Sequence, residues 1–371
     1  MTRPQQHFRL RGALGLLALL LCMSTPASAS LKLVFLDVGQ GDATLVSAGD
    51  HHVLIDGGRA RDDVTDPLHE KAIRSLDLVV ATHAHADHIG GLVQVLETMP
   101  VDTLWYNGDE HGTQTFEAFL DAALDSDARY VEPTRGHSRS FGGLEITVLH
   151  PEEHTPARSL HDRNLAVRVD HGACSAVLTG DLETDGERAI LREGLDVDAD
   201  VLELGHHGSR TSTGAPWLDA VQPAFAVVQY GDGNAYGHPH GEVLDRVDGA
   251  GARVLGTGTH GRIRMRCSEG LWSVRTDRSG TVTAGDREAD PATEDSPVAP
   301  APGDPEHGAE CIDLNQAPTE ALEEIVHIGP ARADGIIDGR PWSAVSELQA
   351  IRGIGPTRLR DIKDEGRACV R

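Results

Sequence analysis

The stretch Leu76-Asp77-Leu78-Val79-Val80-Ala81-Thr82-His83-Ala84-His85-Ala86-Asp87-His88-Ile89-Gly90-Gly91 joins an apolar run to a loop carrying three histidines and an aspartate. A short run rich in branched side chains reads as a buried strand, and the glycine pair lets the chain turn tightly into a helix. Imidazole nitrogens with a carboxylate are the donor set of Zn(II), and Mn(II) or Fe(II) become possible where carboxylates contribute. His83 and His85 are placed to face one ion, Asp87 and His88 a second. A lone histidine is ordinarily a satisfied surface or core residue; these donors, in this order and behind a strand, point to two-metal hydrolysis.

Working outward, short β-branched runs alternate with helical spacing from Leu31 to about Arg275. Strands are expected over Leu31 to Asp37, Val53 to Asp56, Leu78 to Thr82, Ala176 to Thr179, Val201 to Leu204 and Ala224 to Val228. Helices are expected over Val93 to Met99, Thr115 to Leu124 and Glu183 to Glu193. This is a layered α/β arrangement, in which ligands gather where strands end. Two such ends supply further donors: Asp181 in Leu178-Thr179-Gly180-Asp181, and His206 and His207 in Leu202-Glu203-Leu204-Gly205-His206-His207-Gly208-Ser209.

The chain has 371 residues, enough for two domains, and its 39% hydrophobic content is that of a soluble protein. At the N-terminus, Arg9 and Arg11 precede the apolar run Leu14 to Met23, and Ala27-Ser28-Ala29 offers a cleavage site. Residues 1–29 therefore read as a signal peptide too short to span a bilayer stably, with an uncleaved anchor as the alternative. After cleavage no stable membrane insertion is expected, and the protein would be periplasmic or extracellular. Export places Cys174, Cys267, Cys311 and Cys369 in an oxidising compartment. Sequence alone leaves three pairings open; position favours Cys311 with Cys369, leaving Cys174 with Cys267. The formal charge of −25, from 33 basic against 58 acidic residues, excludes general attraction of nucleic acid, so any DNA contact must be local.

Residues 279–310 are dominated by Ala, Pro, Asp, Glu and Gly, a composition that buries no core and reads as an acidic linker between units over 30–278 and 311–371. Beyond it, Val326-His327-Ile328-Gly329-Pro330-Ala331-Arg332-Ala333 is echoed by Ile351-Arg352-Gly353-Ile354-Gly355-Pro356-Thr357-Arg358. Two copies of one helical hairpin make a single small domain.

With these motifs together, the chain from 31 to about 265 resembles the metallo-β-lactamase superfamily, and specifically the soluble domain of the DNA-uptake channel family ComEC. The resemblance rests on Asp37-Val38-Gly39-Gln40-Gly41-Asp42-Ala43, Ile55-Asp56-Gly57-Gly58, the histidine loop, Thr179-Gly180-Asp181, His206-His207-Gly208-Ser209 and Tyr236-Gly237-His238-Pro239. It implies an αββα sandwich in which His83 and His85 hold a first metal, Asp87 and His88 a second, and Asp181 bridges them. His206 or His207 would complete the second set, with His206 preferred because it follows the strand directly. His161 would supply the first set's third histidine, with His154 and Asn164 weaker candidates. The resemblance further implies a catalytic role for Asp87 as a ligand, His238 as a substrate-side donor, and Asp37, Asp42 and Asp56 as hydrogen-bonding supports of the ligand loops. The expected cofactors are two divalent ions, Zn(II) first and Mn(II) as the alternative.

The C-terminal unit resembles the all-α tandem helix-hairpin-helix domain of ComEA-type competence proteins, through Ile312-Asp313-Leu314-Asn315-Gln316-Ala317 and Gly353-Ile354-Gly355. That implies DNA as partner, held by backbone N–H groups at Gly329, Gly353 and Gly355 with Arg352, Arg358, Arg360 and Lys363 around them, without sequence readout. The first hairpin is the less regular, with His327 where a glycine is expected. The combined expectation is an exported, metal-dependent DNase without sequence specificity. The alternatives are a noncatalytic DNA-binding competence-type protein, or a metallohydrolase of another ester or amide such as a β-lactam. Oligomeric state is not legible.

Overall fold

The computed structural model describes residues 30–283 except 63 and 157, residues 312–322 and 325–351, and positions 354, 359, 362, 363, 365 and 367–370. The leader expected over 1–29, most of the linker, Cys311, and the hairpin residues Arg352, Gly353, Gly355, Arg358 and Arg360 lie outside the described residues.

Two sheets carry the fold. The first takes β1 (Leu31–Phe35), β2 (Thr44–Ala48), β3 (His51–Ile55), β4 (Leu78–Ala81), β5 (Thr103–Tyr106) and β6 (Arg129–Val131). The second takes β7 (Ser138–Phe141), β8 (Leu144–His150), β9 (Ala166–His171), β10 (Cys174–Leu178), β11 (Val201–Glu203), β12 (Phe225–Val228) and β13 (Arg253–Gly256). The chain then returns through β14 (Ile263–Ser268) and β15 (Leu271–Thr276). The sheet orders are β15-β14-β1-β2-β3-β4-β5-β6 and β13-β12-β11-β10-β9-β8-β7. Between the strands run α1 (Thr65–Glu70), α2 (Ala86–Ile89), α3 (Leu92–Thr98), α4 (Gln114–Asp125), α5 (Thr184–Arg192), α6 (Ala215–Val221), α7 (Gly241–Gly249) and α8 (Thr257–His260).

Side-chain alternation explains the layering. Leu78 and Val80 of β4 face the space between the sheets, where they join Leu33 and Val46 and meet Ile146, Val169, Ala176, Val201 and Val227. Val79 and Ala81 face the other way, onto Ile89, Leu92, Val95, Phe116 and Phe119 of α2, α3 and α4. On the far side, Val177, Leu202, Ala226 and Val228 pack on Ile190, Trp217, Leu218 and Val243 of α5, α6 and α7. A strand covered on both faces is apolar throughout, which is why β4 reads as an unbroken hydrophobic run. The result is an αββα sandwich.

A disulfide joins Cys174 of β10 to Cys267 of β14, with Cα atoms 6.1 Å apart, in agreement with the position-based expectation. Cys369 is also disulfide-bonded. Among the described residues no helix is long and apolar enough to cross a membrane.

The C-terminal unit has its own core of Leu314, Leu322, Ile325, Ile328, Ala333, Ile336, Trp342, Leu348, Ile354, Leu359 and Ile362. Its helices include α9 (Thr319–Leu322) and α10 (Pro330–Asp338), and a short parallel pair, β16 (Ile312–Asp313) with β17 (Ala368–Cys369), closes it.

Candidate metal centre

The donors sit on loops that leave the strand ends of both sheets. After β4, Thr82 donates from its backbone N–H to Asp56 Oδ1 (2.8 Å) and from its hydroxyl to Asp56 Oδ2 (2.7 Å). His85 is extended (φ −69°, ψ 144°) at the N-terminus of α2, which carries Asp87 and His88, and the His88 ring comes to 4.2 Å from that of His83. Two neighbouring loops close over this segment. Asp42 N–H donates to the Asp87 carbonyl (3.1 Å) and Gly57 N–H to that of His88 (2.7 Å). Gly41, at φ +140°, admits the first approach, because a Cβ there would collide with the Asp87 carbonyl.

The Thr179-Gly180-Asp181 loop after β10 is pinned from two sides. Asn164 donates from Nδ2 to the Thr179 carbonyl (2.7 Å) and accepts at Oδ1 from Asp181 N–H (3.0 Å). Glu203 Oε2 accepts from the N–H groups of Thr179 (2.9 Å) and Gly180 (3.0 Å). Burial, reinforced by the neighbouring Asp42, pushes the Glu203 carboxyl up to about 8. After β11, His206 (φ 50°) and His207 (φ 55°) are both left-handed. Such backbone costs roughly 1–2 kcal/mol per non-glycine residue and recurs at functional sites. Here it lets consecutive imidazoles diverge.

These loops bring two donor sets together around one carboxylate. On one side, Asp181 Oδ2 lies 3.4 Å from His83 Nε2, 3.6 Å from His161 Nε2 and 4.0 Å from His85 Nδ1. On the other, Asp181 Oδ1 lies 3.2 Å from His88 Nε2 and 3.6 Å from His207 Nε2, which in turn is 3.8 Å from Asp87 Oδ2. His161 thus stands with His83 and His85. The preference for His206 in the second set is corrected. His207 faces Asp87 and His88, whereas His206 Nε2 lies 3.8 Å from Asp181 Oδ2, on the side of the first set. Asn164 is a support of the Asp181 loop, and His154 is exposed.

Behind the second set, Asp56 Oδ2 accepts from His88 Nδ1 at 2.7 Å, and Asp42 Oδ1 lies 3.2 Å from His207 Nδ1. Asp37 plays no such part. It is exposed after β1 and pairs with Arg278 at 3.2 Å, a correction to the expectation that all three aspartates support ligand loops. His238 is buried, with its ring 5.8 Å from that of His206 and 6.2 Å from that of His207. Gly329 caps α10, and Lys363 is exposed on the C-terminal unit.

Three further contributors emerge from the geometry. Glu183 Oε1 lies 3.5 Å from Nδ1 of both His161 and His206, and despite burial these imidazoles hold its carboxyl well below the ordinary range. Its signal was its place two residues after Asp181, where it reads only as a helix start. Arg59 reaches to 3.7 Å from Asp87 Oδ2, and Tyr236 stacks on His238 with ring centroids 5.6 Å apart.

Electrostatics distinguish the two sets. Burial depresses His83 well below the ordinary imidazole value and also lowers His85. Burial pulls His88 and His207 the same way, but Asp181 and Asp56 outweigh it at His88, and Asp181 and Asp42 carry His207 up to about 9. Asp181 is held well below its ordinary value by His88, His207, His206 and His83 against the cost of burial. His88 Nε2, His207 Nε2 and Asp181 Oδ1 are buried and make no well-formed hydrogen bond, although they converge on one another. Lone pairs so arranged fit a divalent cation, which would displace the imidazole protons.

Residues 36–232, more than half of the chain, match the Metallo-beta-lactamase superfamily. The chain belongs to that superfamily. It therefore has a hydrolase fold that binds divalent metal, and the His/Asp clusters described above lie where its strands end. Residues 308–366 match the Helix-hairpin-helix motif. Among curated proteins, the chain is 32% identical over 265 residues to ComE operon protein 3 of Bacillus subtilis, covering 66% of this chain and 34% of that one. It is 31% identical over 240 residues to Competence protein ComA of Neisseria gonorrhoeae, covering 63% and 32%. A Deoxyribonuclease of Thioalkalivibrio sp. is 56% identical over 62 residues, covering 17% of each. The chain thus spans about a third of the length of the first two of these relatives.

Proposed function

We propose that this chain is an exported nuclease that hydrolyses DNA phosphodiester bonds without sequence specificity, using two divalent ions. The observation that carries this reading is the division of Asp181, one oxygen toward His83, His85 and His161 and the other toward Asp87, His88 and His207. A helix-hairpin-helix unit on the same chain favours a nucleic-acid backbone over a lactam or lactone, and relatives named for competence and deoxyribonuclease activity point the same way.

The two ions, when bound, would polarise phosphoryl oxygens and lower the pKa of the attacking water. The chain's own residues do the rest. Asp181 links the donor sets, Glu183 orients the His161 and His206 rings, and Asp42 and Asp56 orient His207 and His88. Arg59, beside Asp87, supplies fixed positive charge for a phosphate oxygen. His238, its ring stacked under Tyr236, offers a donor to the substrate side of the pocket. The histidine-rich donor set favours Zn(II), with Mn(II) as the alternative. A chain of net charge −25 repels DNA generally, so binding is confined to the pocket and to the hairpin residues Gly329, Gly353, Gly355, Arg352, Arg358, Arg360 and Lys363. Export rests on the leader-like segment 1–29.

Incubation of purified protein with plasmid DNA, with EDTA and after Zn(II) or Mn(II) is restored, tests the reading. We expect metal-dependent cleavage of unrelated sequences, reduced on the order of a thousandfold in Asp181→Ala. Binding without cleavage, or cleavage that survives EDTA and Asp181→Ala, would refute it; turnover of a β-lactam but not DNA would replace it.

A further inference from the structure

The irregular first hairpin has a use that phosphate binding does not explain. His327 stands where the second hairpin has Gly353, and it sits at φ +65°, a left-handed conformation that glycine adopts freely and histidine resists. What the strained residue makes is a contact outside its own unit. His327 is buried, and its Nδ1 lies 2.8 Å from Oε1 of Glu117 on α4 of the hydrolase sandwich. Arg332, in the first turn of α10, donates to the other oxygen, Oε2, at 2.7 Å and to the His327 carbonyl at 3.0 Å. Glu117 is itself only 5% exposed. A buried carboxylate with both oxygens engaged by a second unit is a specific fastening, since removing either side leaves the other desolvated and unpaired.

The fastening lies beside the metal-ligand pocket. The His327 ring rests against Gly112, where a Cβ would come within 3.4 Å of its Cε1. The preceding residue, His111, meets His85 edge-on with ring centroids 6.2 Å apart. Glu117 follows on α4, whose cap Thr113 accepts from Phe116 N–H at 3.3 Å. A hairpin loop with a cationic side chain at a helix N-terminus is where an anion would be received. In this protein the anion is a carboxylate of the protein itself.

We propose that the first hairpin is a docking element. His327 and Arg332 fasten the C-terminal unit to Glu117, so that DNA held by the second hairpin is presented at the metal-ligand pocket. Glu117 is then a positioning residue. The docking stands on the contact alone; the presentation of DNA rests on the proposed nuclease function.

The test uses the full chain with spin labels on exposed Asp248 and Gln316, one on each unit. Without metal or DNA, wild type should give one narrow distance distribution, and Glu117→Ala and His327→Gly should broaden it. His327→Gly restores a glycine at a left-handed position, so loss of folding is not the expected cause. With metal restored, both variants should cleave a small phosphodiester, bis(p-nitrophenyl) phosphate, at the wild-type rate, while KM for long duplex DNA rises on the order of tenfold with kcat little changed. Variant distances as narrow as wild type would overturn the docking. An unchanged KM for DNA in a variant with broadened distances would overturn the positioning role. A wild type that cleaves no DNA would remove the nuclease reading and with it the positioning, leaving the docking to be judged on the distances.

Discussion

The two sides of Asp181 differ in how they are prepared for a cation. The side built from His83, His85 and His161 offers only imidazoles besides the shared carboxylate, with Glu183 behind His161 alone, and the His85 side chain is 25% exposed. Burial, helped by the neighbouring imidazoles, holds His83 and His85 below the ordinary imidazole value, which favours the neutral donors a metal needs. The side built from Asp87, His88 and His207 is deeper and more acidic, with Asp56 and Asp42 behind its rings. There the carboxylates overcome burial and hold protons on His88 and His207. On the proposed function, one side would bind by offering neutral donors. The other would bind by exchanging protons for a cation of higher charge.

The largest separation of the two sides should come from the carboxylate behind His207. Asp42→Asn keeps the shape but removes the negative charge beside His207 Nδ1, which also bonds the Gln229 carbonyl at 3.0 Å, and should weaken metal at the second set roughly 10- to 100-fold while leaving the first set nearly unchanged. Competition titration with a fluorescent chelator reads both affinities; equal weakening of the two would erase the distinction.

A smaller effect concerns pH. With His207 raised to about 9, a proton must leave before a cation binds below that pH, so second-set affinity should fall as pH falls, by about tenfold per unit for each proton displaced. The first set, whose His83 and His85 are lowered by burial, should stay nearly level from about pH 8 down to about pH 7. Calorimetry in buffers of different ionisation enthalpy counts the released protons directly, and proton release confined to the first set would reverse the assignment.

How far this was legible in the sequence follows from the local physics of each segment. The loop from His83 to His88 carries its own geometry, because a buried strand must end in a turn and the donors alternate along it. Asp181 was legible for the same reason. His206 and His207 were not separable, since adjacent identical side chains are distinguished only by two consecutive left-handed residues that tertiary packing imposes. Asp37 and Asp42 share a motif, yet only Asp42 is drawn inward, by its backbone bond to the Asp87 carbonyl. Glu183 depends on ring orientations that no spacing encodes. At the other end of the chain, His327 read as a flaw in a hairpin; its partner Glu117 is distant in sequence, and the pairing exists only once both units are folded.

Native mass spectrometry of the metal-loaded protein tests the shared-carboxylate arrangement most directly. Two Zn(II) ions are expected on wild type, one on Asp87→Ala with the first set intact, and fewer than two on Asp181→Ala, in which both sets lose a ligand at once. A wild type that saturates with one ion, or an Asp181→Ala variant that still retains two, would contradict the account.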